Sequence, residues 1–457
     1  MTDTAPRPGQ GSATSADCWL VTLHPAAPPR PSARKDGGAS RLPVALRALA
    51  LPNYRRWALA DLVSNVGSWM STAALGWLVY DMTGSATALG AVVAVKQAPA
   101  LVLGLAGGAL ADRLDARRVL PLTQGAYAVL AGGLAMMTSG GHTRLWHLYV
   151  FAALTGVLGV LDGPCFGRLL AQVLGRENLS NGIALGSVTH STGWVLGLGA
   201  GSVVLAGPGP WVVFAIDAVS FTVVALTVLR LRTDLLHPME RATRGSSGVR
   251  DGLRHVLASR QLVVVLLMGT VTGAVGRHFQ VTMAAMAEQT FHGGPGLYGR
   301  LFTCFSVGAL VGAAVAARLR HLRMPVLLGA AAAAGLLQAG SGAAPVAWVF
   351  AGAMFAVAAC CIVYDTAVST TVQLLAPGHV RGRVLAVQGL VGSLASMAGA
   401  PLVGWLTDTL GPRAALGIGG ALALAAVGTA ACVLAGGAGA AARAVGTATG
   451  VRAFAPA

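Results

Sequence analysis

Apolar residues along this chain come in runs of about 20, the length of helix that crosses roughly 30 Å of hydrocarbon. The strict alternation of a half-buried strand is absent from them. The runs lie near 57–80, 87–111, 117–139, 145–168, 183–206 and 210–230, then near 259–281, 297–317, 322–340, 345–368, 383–406 and 412–435. A helix in lipid satisfies its own backbone, so the pattern predicts an all-α integral membrane protein with twelve transmembrane helices. The longest polar interruption, LRTDLLHPMERATRGSSGVRDGLRHVLA at 231–258, divides the runs six and six. The organisation expected is a tail at 1–50, a six-helix bundle at 51–230, a linker at 231–258, a second bundle at 259–436 and a tail at 437–457. The first tail contains HPAAPPRPSARKDGGAS and no apolar run long enough for a signal sequence, so it is expected to be disordered.

Composition agrees: 55% of the 457 residues are hydrophobic and 11% are charged, with a mean hydropathy of +0.68. The net charge of +16 sets orientation. The stretch through Arg56 holds eight of the 32 Lys and Arg, the stretch from Arg230 to Arg260 holds seven, and the alternate turns receive only Arg144 and Arg413. Basic turns stay cytoplasmic, which places both termini inside a cell membrane. These cations flank helices and suit anionic lipid of the bilayer; no basic domain face for nucleic acid is implied.

Chemistry of the soluble-enzyme kind is not legible. The six cysteines, at 18, 165, 304, 360, 361 and 432, form no CxxC pair and no zinc spacing. There is no G-x-x-x-x-G-K-[ST] loop and no nucleophile elbow, so neither metal, cofactor nor ATP is expected, and the chain is not expected to be an enzyme.

The hairpin GGALADRLDARR at 107–118 concentrates charge between the second and third runs. Arg113, Arg117 and Arg118 suit the headgroup region, and Asp112 suits an ion pair with them and contact with a helix N-terminus. Here the sequence resembles the major facilitator superfamily of secondary transporters, whose hairpin signature G-x-x-x-D-R-x-x-R-R is met by Gly108, Asp112, Arg113, Arg117 and Arg118, with the basic pair one residue late. Asp115 and Ala116 replace the usual glycine and first basic residue. The resemblance implies a conformational latch in which Asp112 meets a helix end of the other half. The stretch 53–90, with Asn65, Gly67, Trp69, Trp77, Thr83, Gly84 and Gly90, is similar to the exporter branch that includes enterobactin and macrolide efflux proteins, as are ENLSNGIALGSV at 177–188 and FAIDAVSF at 214–221.

RLLAQVLGRENLSNGIA (168–184) and STTVQLLAPGHVRGRVL (369–385) align at a shift of 201, pairing Gln172 with Gln373 and Leu174 with Leu375. This repeat supports two pseudo-symmetric six-helix bundles that rock about a central site. Gly193, Gly197 and Gly201 recur every fourth position, for close helix packing or for a sliding seam. The glycine-proline pair of the superfamily's exporting antiporters is incomplete, with Leu198 in the proline's place, while GAPLVGW at 399–405 is a better match in the second half.

Ionisable residues within spans are costly and mark function. Lys96 lies roughly 22 Å from the inner end of its span and about 13 Å from the outer end, so it is either a functional cation or one that snorkels outward. Asp61, Asp162 and His190 share a depth of roughly 6 to 11 Å, where the acids suit proton uptake or a cationic substrate and the imidazole suits a relay. For Asp162 a helix-end pair with Arg168 is the alternative, and for His190 a hydrogen-bonded packing role. Arg277 and His278, near the outer end of span seven, suit an anionic group or mark the interface; Asp217 reads as structural. Asp365, about 5 Å from an inner helix end, suits pairing with Arg381 or Arg383. Asn65, Trp69, Gln97 and Gln373 supply cavity-lining surface. The expectation is a monomeric exporter of a small, partly apolar molecule, a drug, siderophore or secondary metabolite, with protons as coupling ion. Uptake of a lipid-like or other small solute by the same fold and a non-transporting membrane sensor or scaffold are the alternatives.

Overall fold

The computed structural model describes residues 44–111, 114–237, 249–319, 324–377 and 380–449, and among them the regular structure is all helix. A 3-10 segment, Val44–Ala50, leads into α1 (Pro52–Thr83), α2 (Ala86–Ala111), α3 (Ala116–Ser139), α4 (Leu145–Ala206) and α5 (Pro210–Leu229). The second half comprises α6 (Val249–Ala258), α7 (Arg260–Val275), α8 (Phe279–Ala285), α9 (Gly294–Arg318), α10 (Met324–Ser341), α11 (Ala347–Leu375), α12 (Arg381–Leu410) and α13 (Pro412–Thr449).

Ten stretches are long and apolar enough to cross a membrane. Helix α1 and the second part of α4, residues 176–206, are equally long but more polar, and adding them gives the twelve crossings that the pattern predicts. Their polarity has a cause: α1 carries Asp61, Ser64, Asn65, Ser68, Ser71 and Thr72 at helical spacing, a stripe turned toward an internal cavity and away from lipid.

Three boundaries differ from the sequence expectation. The turn expected at 169–182 is helical, and α4 is interrupted only at Gly175, whose φ of 66° and ψ of 172° suit glycine alone. A Cβ there would also strike the ring of His237, whose backbone N–H donates to Gln172 O at 2.8 Å. Span seven, expected to end near 281, runs as α7, α8 and a π-helical turn (Met286–Thr290) to Thr290. The expected linker is helical from Val249, and of the expected N-terminal tail residues 44–50 are ordered, with Ala48 N–H donating to Asn181 Oδ1.

Within the first half α1 packs on α4 and α5, α2 on α4 and α3 on α5; within the second, α11 packs on α9 and α10, and α7 on α12 and α13. The two halves meet through α2 against α12 and α4 against α9. These contacts lie toward the side that carries Gly84, Gly209 and Gly411, the far side, opposite the cation-rich side that carries Leu51, Gly175 and Ser259. Gly90 meets the backbone of Ala400, Gly404 meets that of Ala86, and Gly299 meets Ser202, so closely that any added Cβ would collide. Gly104, Gly186, Gly389 and Gly392, nearer the cation-rich side of α2, α4 and α12, face open space. The halves are therefore closed on the far side and apart toward the cation-rich side.

The closed side has a clasp. Asp408, at the end of α12, accepts from Ala86 N–H at 2.7 Å, Thr87 N–H at 2.9 Å and Ser85 Oγ at 2.7 Å. One carboxylate from the second half thus caps the orphan N–H groups opening α2 in the first half, where the helix dipole also favours an anion. Losing such a cap costs about 0.5–2 kcal/mol, roughly a twofold to thirtyfold shift toward a far-side-open form. Asp408→Ala is expected to lengthen the distance between spin labels at Met82 and Leu410, read by pulsed electron paramagnetic resonance. An unchanged distance distribution would show that the clasp does not hold the seam.

Candidate functional site

Two cavities lie within the helices and share Thr72, Leu75 and Lys96. The first, about 280 Å³, is enclosed by the first half alone. Its walls bring together Asp61 from α1, Lys96 from α2, Asp162 from α4 and Asp217 from α5, none of which is adjacent in sequence.

Each acid is held by neutral donors. Asp61 Oδ1 accepts from Asn65 Nδ2 at 3.1 Å, and Asn65 Oδ1 lies 3.0 Å from His190 Nδ1. The imidazole therefore reaches the carboxylate through an amide, and His190 is exposed. Asp162 accepts from Thr123 Oγ1 at 2.6 Å and Gln124 Nε2 at 3.1 Å, and no ion pair joins it to Arg168 among the described residues, where Arg168 donates to Leu114 O at 3.3 Å. Asp217, read from sequence as structural, is only 2% exposed and lines the same cavity. Ser68 and Ser220 hydroxyls lie 3.4 Å from its Oδ1. Gly67 makes this possible, since a Cβ there would stand 2.7 Å from Ser220 Oγ.

Lys96 is deep in the fold, ten residues or about 15 Å from the start of α2, yet its side chain is exposed. The exposure is to the cavities, so the snorkelling alternative is not what the structure shows. Gly156 on α4 lets the Lys96 carbonyl come into close contact, and Pro99 follows one turn on; together they fix the backbone of Lys96 where α2 crosses α4. Among the described residues no hydrogen bond or ion pair reaches its ammonium group, and it shares the wall of the smaller cavity with Asp217.

The second cavity, about 570 Å³, lies between the halves. Trp69, Gln97 and Trp194 line it from the first half, and Arg277, His278, Phe279, Phe302 and Phe305 from the second. An aromatic chain crosses it, with ring centroids 5.7 Å apart for Trp69 and Trp194 and 6.0 Å for Trp194 and Phe305. Arg277 sits at the break between α7 and α8, and its two guanidinium NH groups reach both oxygens of Asp365 at 2.5 Å. Asp365 thus pairs with Arg277 and not with Arg381 or Arg383: α11 continues to Leu375, which moves Asp365 about 15 Å from the helix end. For the same reason Arg277 is mid-span, thirteen residues before Thr290, and not at an interface.

Other expected residues fall elsewhere. Asn65 lines the smaller cavity, while Gln373 is exposed, bonds to Ser369 among the described residues and is not among the lining residues of either cavity. Gly193, Gly197 and Gly201 pack on Asn65, Val66, Trp69 and Met70 of α1, inside one half, so they are not a seam between halves. In the hairpin, Asp112 and Arg113 lie outside the described residues; Gly108 is in α2, and Arg117 and Arg118 open α3, which Asp115 caps by accepting from Arg117 N–H at 3.0 Å. Sequence reasoning missed Asp408 and the cavity role of Asp217. The signal for Asp408 was present: Gly404-x-Leu406-x-Asp408-x-Leu410 repeats Gly108-x-Leu110-x-Asp112-x-Leu114.

This architecture is shared. The nucleoside transporter NupG superposes with a TM-score of 0.67 at 10% identity, covering 84% of this chain and 99% of that one. A D-xylose-proton symporter gives 0.64 at 14%, covering 82% and 97%. By sequence, the MFS-type transporter YfiS of Bacillus subtilis (strain 168) is 23% identical over 77% of this chain and 87% of its own length. The enterobactin exporter EntS of Shigella boydii serotype 18 is 26% identical over 61% of this chain and 66% of its own. The staphyloferrin A transporter of Staphylococcus aureus is 21% identical over 54% and 62%. A family model described as transmembrane secretion effector matches residues 45–442, and with helices α1 to α13 arranged as above the chain belongs to that family of major facilitator transporters.

Proposed function

We propose that this chain is a proton-coupled secondary exporter that carries a small, partly apolar molecule by alternating access. The observation that carries the reading is the pair of cavities joined at Lys96, one lined by three carboxylates and the other by aromatic rings from both halves. The protein acts as a monomer in the bacterial inner membrane, with both termini and the cation-rich side cytoplasmic. The form described is then open to the cytoplasm, ready to load cargo, and closed outside by the Asp408 clasp.

A carboxylate at membrane depth is costly when ionised without a partner, so binding and loss of a proton by Asp61 and Asp162 is a means of biasing the halves between their two arrangements. The asparagine of Asn65 links this chemistry to His190, which faces the open side. The same pattern Gly-x-Leu-x-Asp-x-Leu stands at both ends of the antiparallel α2–α12 pair, as Gly108–Leu114 and Gly404–Leu410. In the proposed cycle Asp112 caps from the cytoplasmic end when the Asp408 cap is released. Export as the direction is supported by relatives whose names say exporter and by the family description.

The deciding measurement is substrate accumulation in cells with and without the protein, with the proton gradient intact or collapsed. Gradient-dependent extrusion is expected; gradient-dependent uptake, or no flux for any compound, would overturn export. Asp61→Asn and Asp162→Asn are each expected to abolish driven flux while folded protein persists in the membrane, and unchanged flux in both would remove these acids from the mechanism. A single cysteine replacing Arg117 is expected to resist impermeant thiol reagent in intact cells and to react in inverted vesicles.

A further inference from the structure

The charged side chains of the central cavity are of one sign. Lys96 and Arg277 line it beside the ring of His278, and no aspartate or glutamate is among the described lining residues. Arg277 is already neutralised, since both its NH groups engage both oxygens of Asp365. Lys96 is not: its side chain is exposed into the cavity, and among the described residues it forms no ion pair. Asp217 is on the wall of the other cavity, with the hydroxyls of Ser68 and Ser220 3.4 Å from its Oδ1, and forms no ion pair with Lys96 among the described residues.

Two polar atoms of lining residues, His278 Nε2 and Trp194 Nε1, have no hydrogen bond among the described residues, but both are buried out of reach of the cavity's open space, so Lys96 is the polar group the wall offers to a charged cargo.

We propose that the central cavity binds an anionic molecule with an aromatic or flat apolar body, its negative group on the Lys96 ammonium and its body against Trp69, Trp194 and Phe305. This rests on reading the cavity as the cargo site. One negative charge on the cargo balances Lys96, the lining cation that has no ion pair among the described residues. A cationic cargo would face Lys96 with no carboxylate among the described lining residues. The volume, about 570 Å³, is in the range of sites for drug-sized ligands. The acids of the smaller cavity stay free for protons because the cargo's charge is opposite to what they attract.

The test uses the purified full chain in lipid nanodiscs and three probes of one shape, naphthalene-2-sulfonate, naphthalene-2-sulfonamide and the trimethylnaphthalen-2-yl-ammonium cation, titrated calorimetrically. The anion is expected to bind at least about tenfold tighter than the other two. Lys96→Gln is expected to bring anion and sulfonamide within roughly twofold of each other, and Lys96→Arg to restore most of the preference. Equal binding of all three, preference for the cation, an anion preference that survives Lys96→Gln, or no binding of any probe would overturn the proposal. Binding is measured without a gradient, so an anion site that persists in a chain showing no driven flux refutes the exporter reading and leaves this one standing.

Discussion

A charge or polar atom inside a hydrocarbon layer must find a partner or water, and nearly every placement in this structure answers to that constraint. Arg277 is tolerable mid-span because Asp365 meets it with two bonds; Asp162 because Thr123 and Gln124 donate to it; Asp217 because the hydroxyls of Ser68 and Ser220 do. The helices that carry these groups are consequently the inner ones, and the most apolar helices, such as α5 with its single buried Asp217, turn their remaining faces outward. Lys96 is the exception, and its place on both cavity walls follows: water or a ligand is its alternative to a protein anion.

The second constraint is distance. Helices in lipid gain little from hydrophobic burial against one another, so they associate where small residues let backbones touch. Gly90 against Ala400 and Gly404 against Ala86 bring α2 and α12 together, and the approach is what carries Asp408 to the first N–H groups of α2. Seam and clasp therefore depend on each other. Gly193, Gly197 and Gly201 perform the same packing inside the first half, binding α1 to α4 as one unit and holding Asn65 opposite His190.

The crossings were legible because apolar length is a local property of the chain, and the repeat at a shift of 201 conveyed the two halves. Lys96, Asp61 and Asp162 were legible as costly residues in apolar runs. What was not legible is which costly residues meet. Asp365 was assigned to basic residues near in sequence because the end of α11 was placed seven residues early; its partner is 88 positions away on a helix broken at Gly276. Asp217 reads as structural from a span that is peripheral in the resembled family, and the crossing permitted by Gly67 brings it beside the others. The polar stripe from Asp61 to Thr72 was the available signal, since its helical spacing on a membrane span implies a wet interior face.

Helix α2 ties these constraints together. Its first turn is capped by the opposite half through Asp408, its middle presents Lys96 to both cavities, and its crossing with α4 is fixed by Gly156. A helix is stiff over this length, so movement of the α2–α12 seam cannot be absorbed between Ala86 and Lys96, where no proline intervenes; the proline, Pro99, comes only after the lysine. Displacement at the seam must therefore be shared with the Lys96–Gly156 contact or with the first half as a body. Either way, in the proposed cycle the position of Lys96 relative to Asp217 and to the central cavity changes when the far side opens. Opening of the seam and the electrostatic balance between the two cavities are then mechanically the same event, which is the coupling that the proposed ion-driven exchange requires.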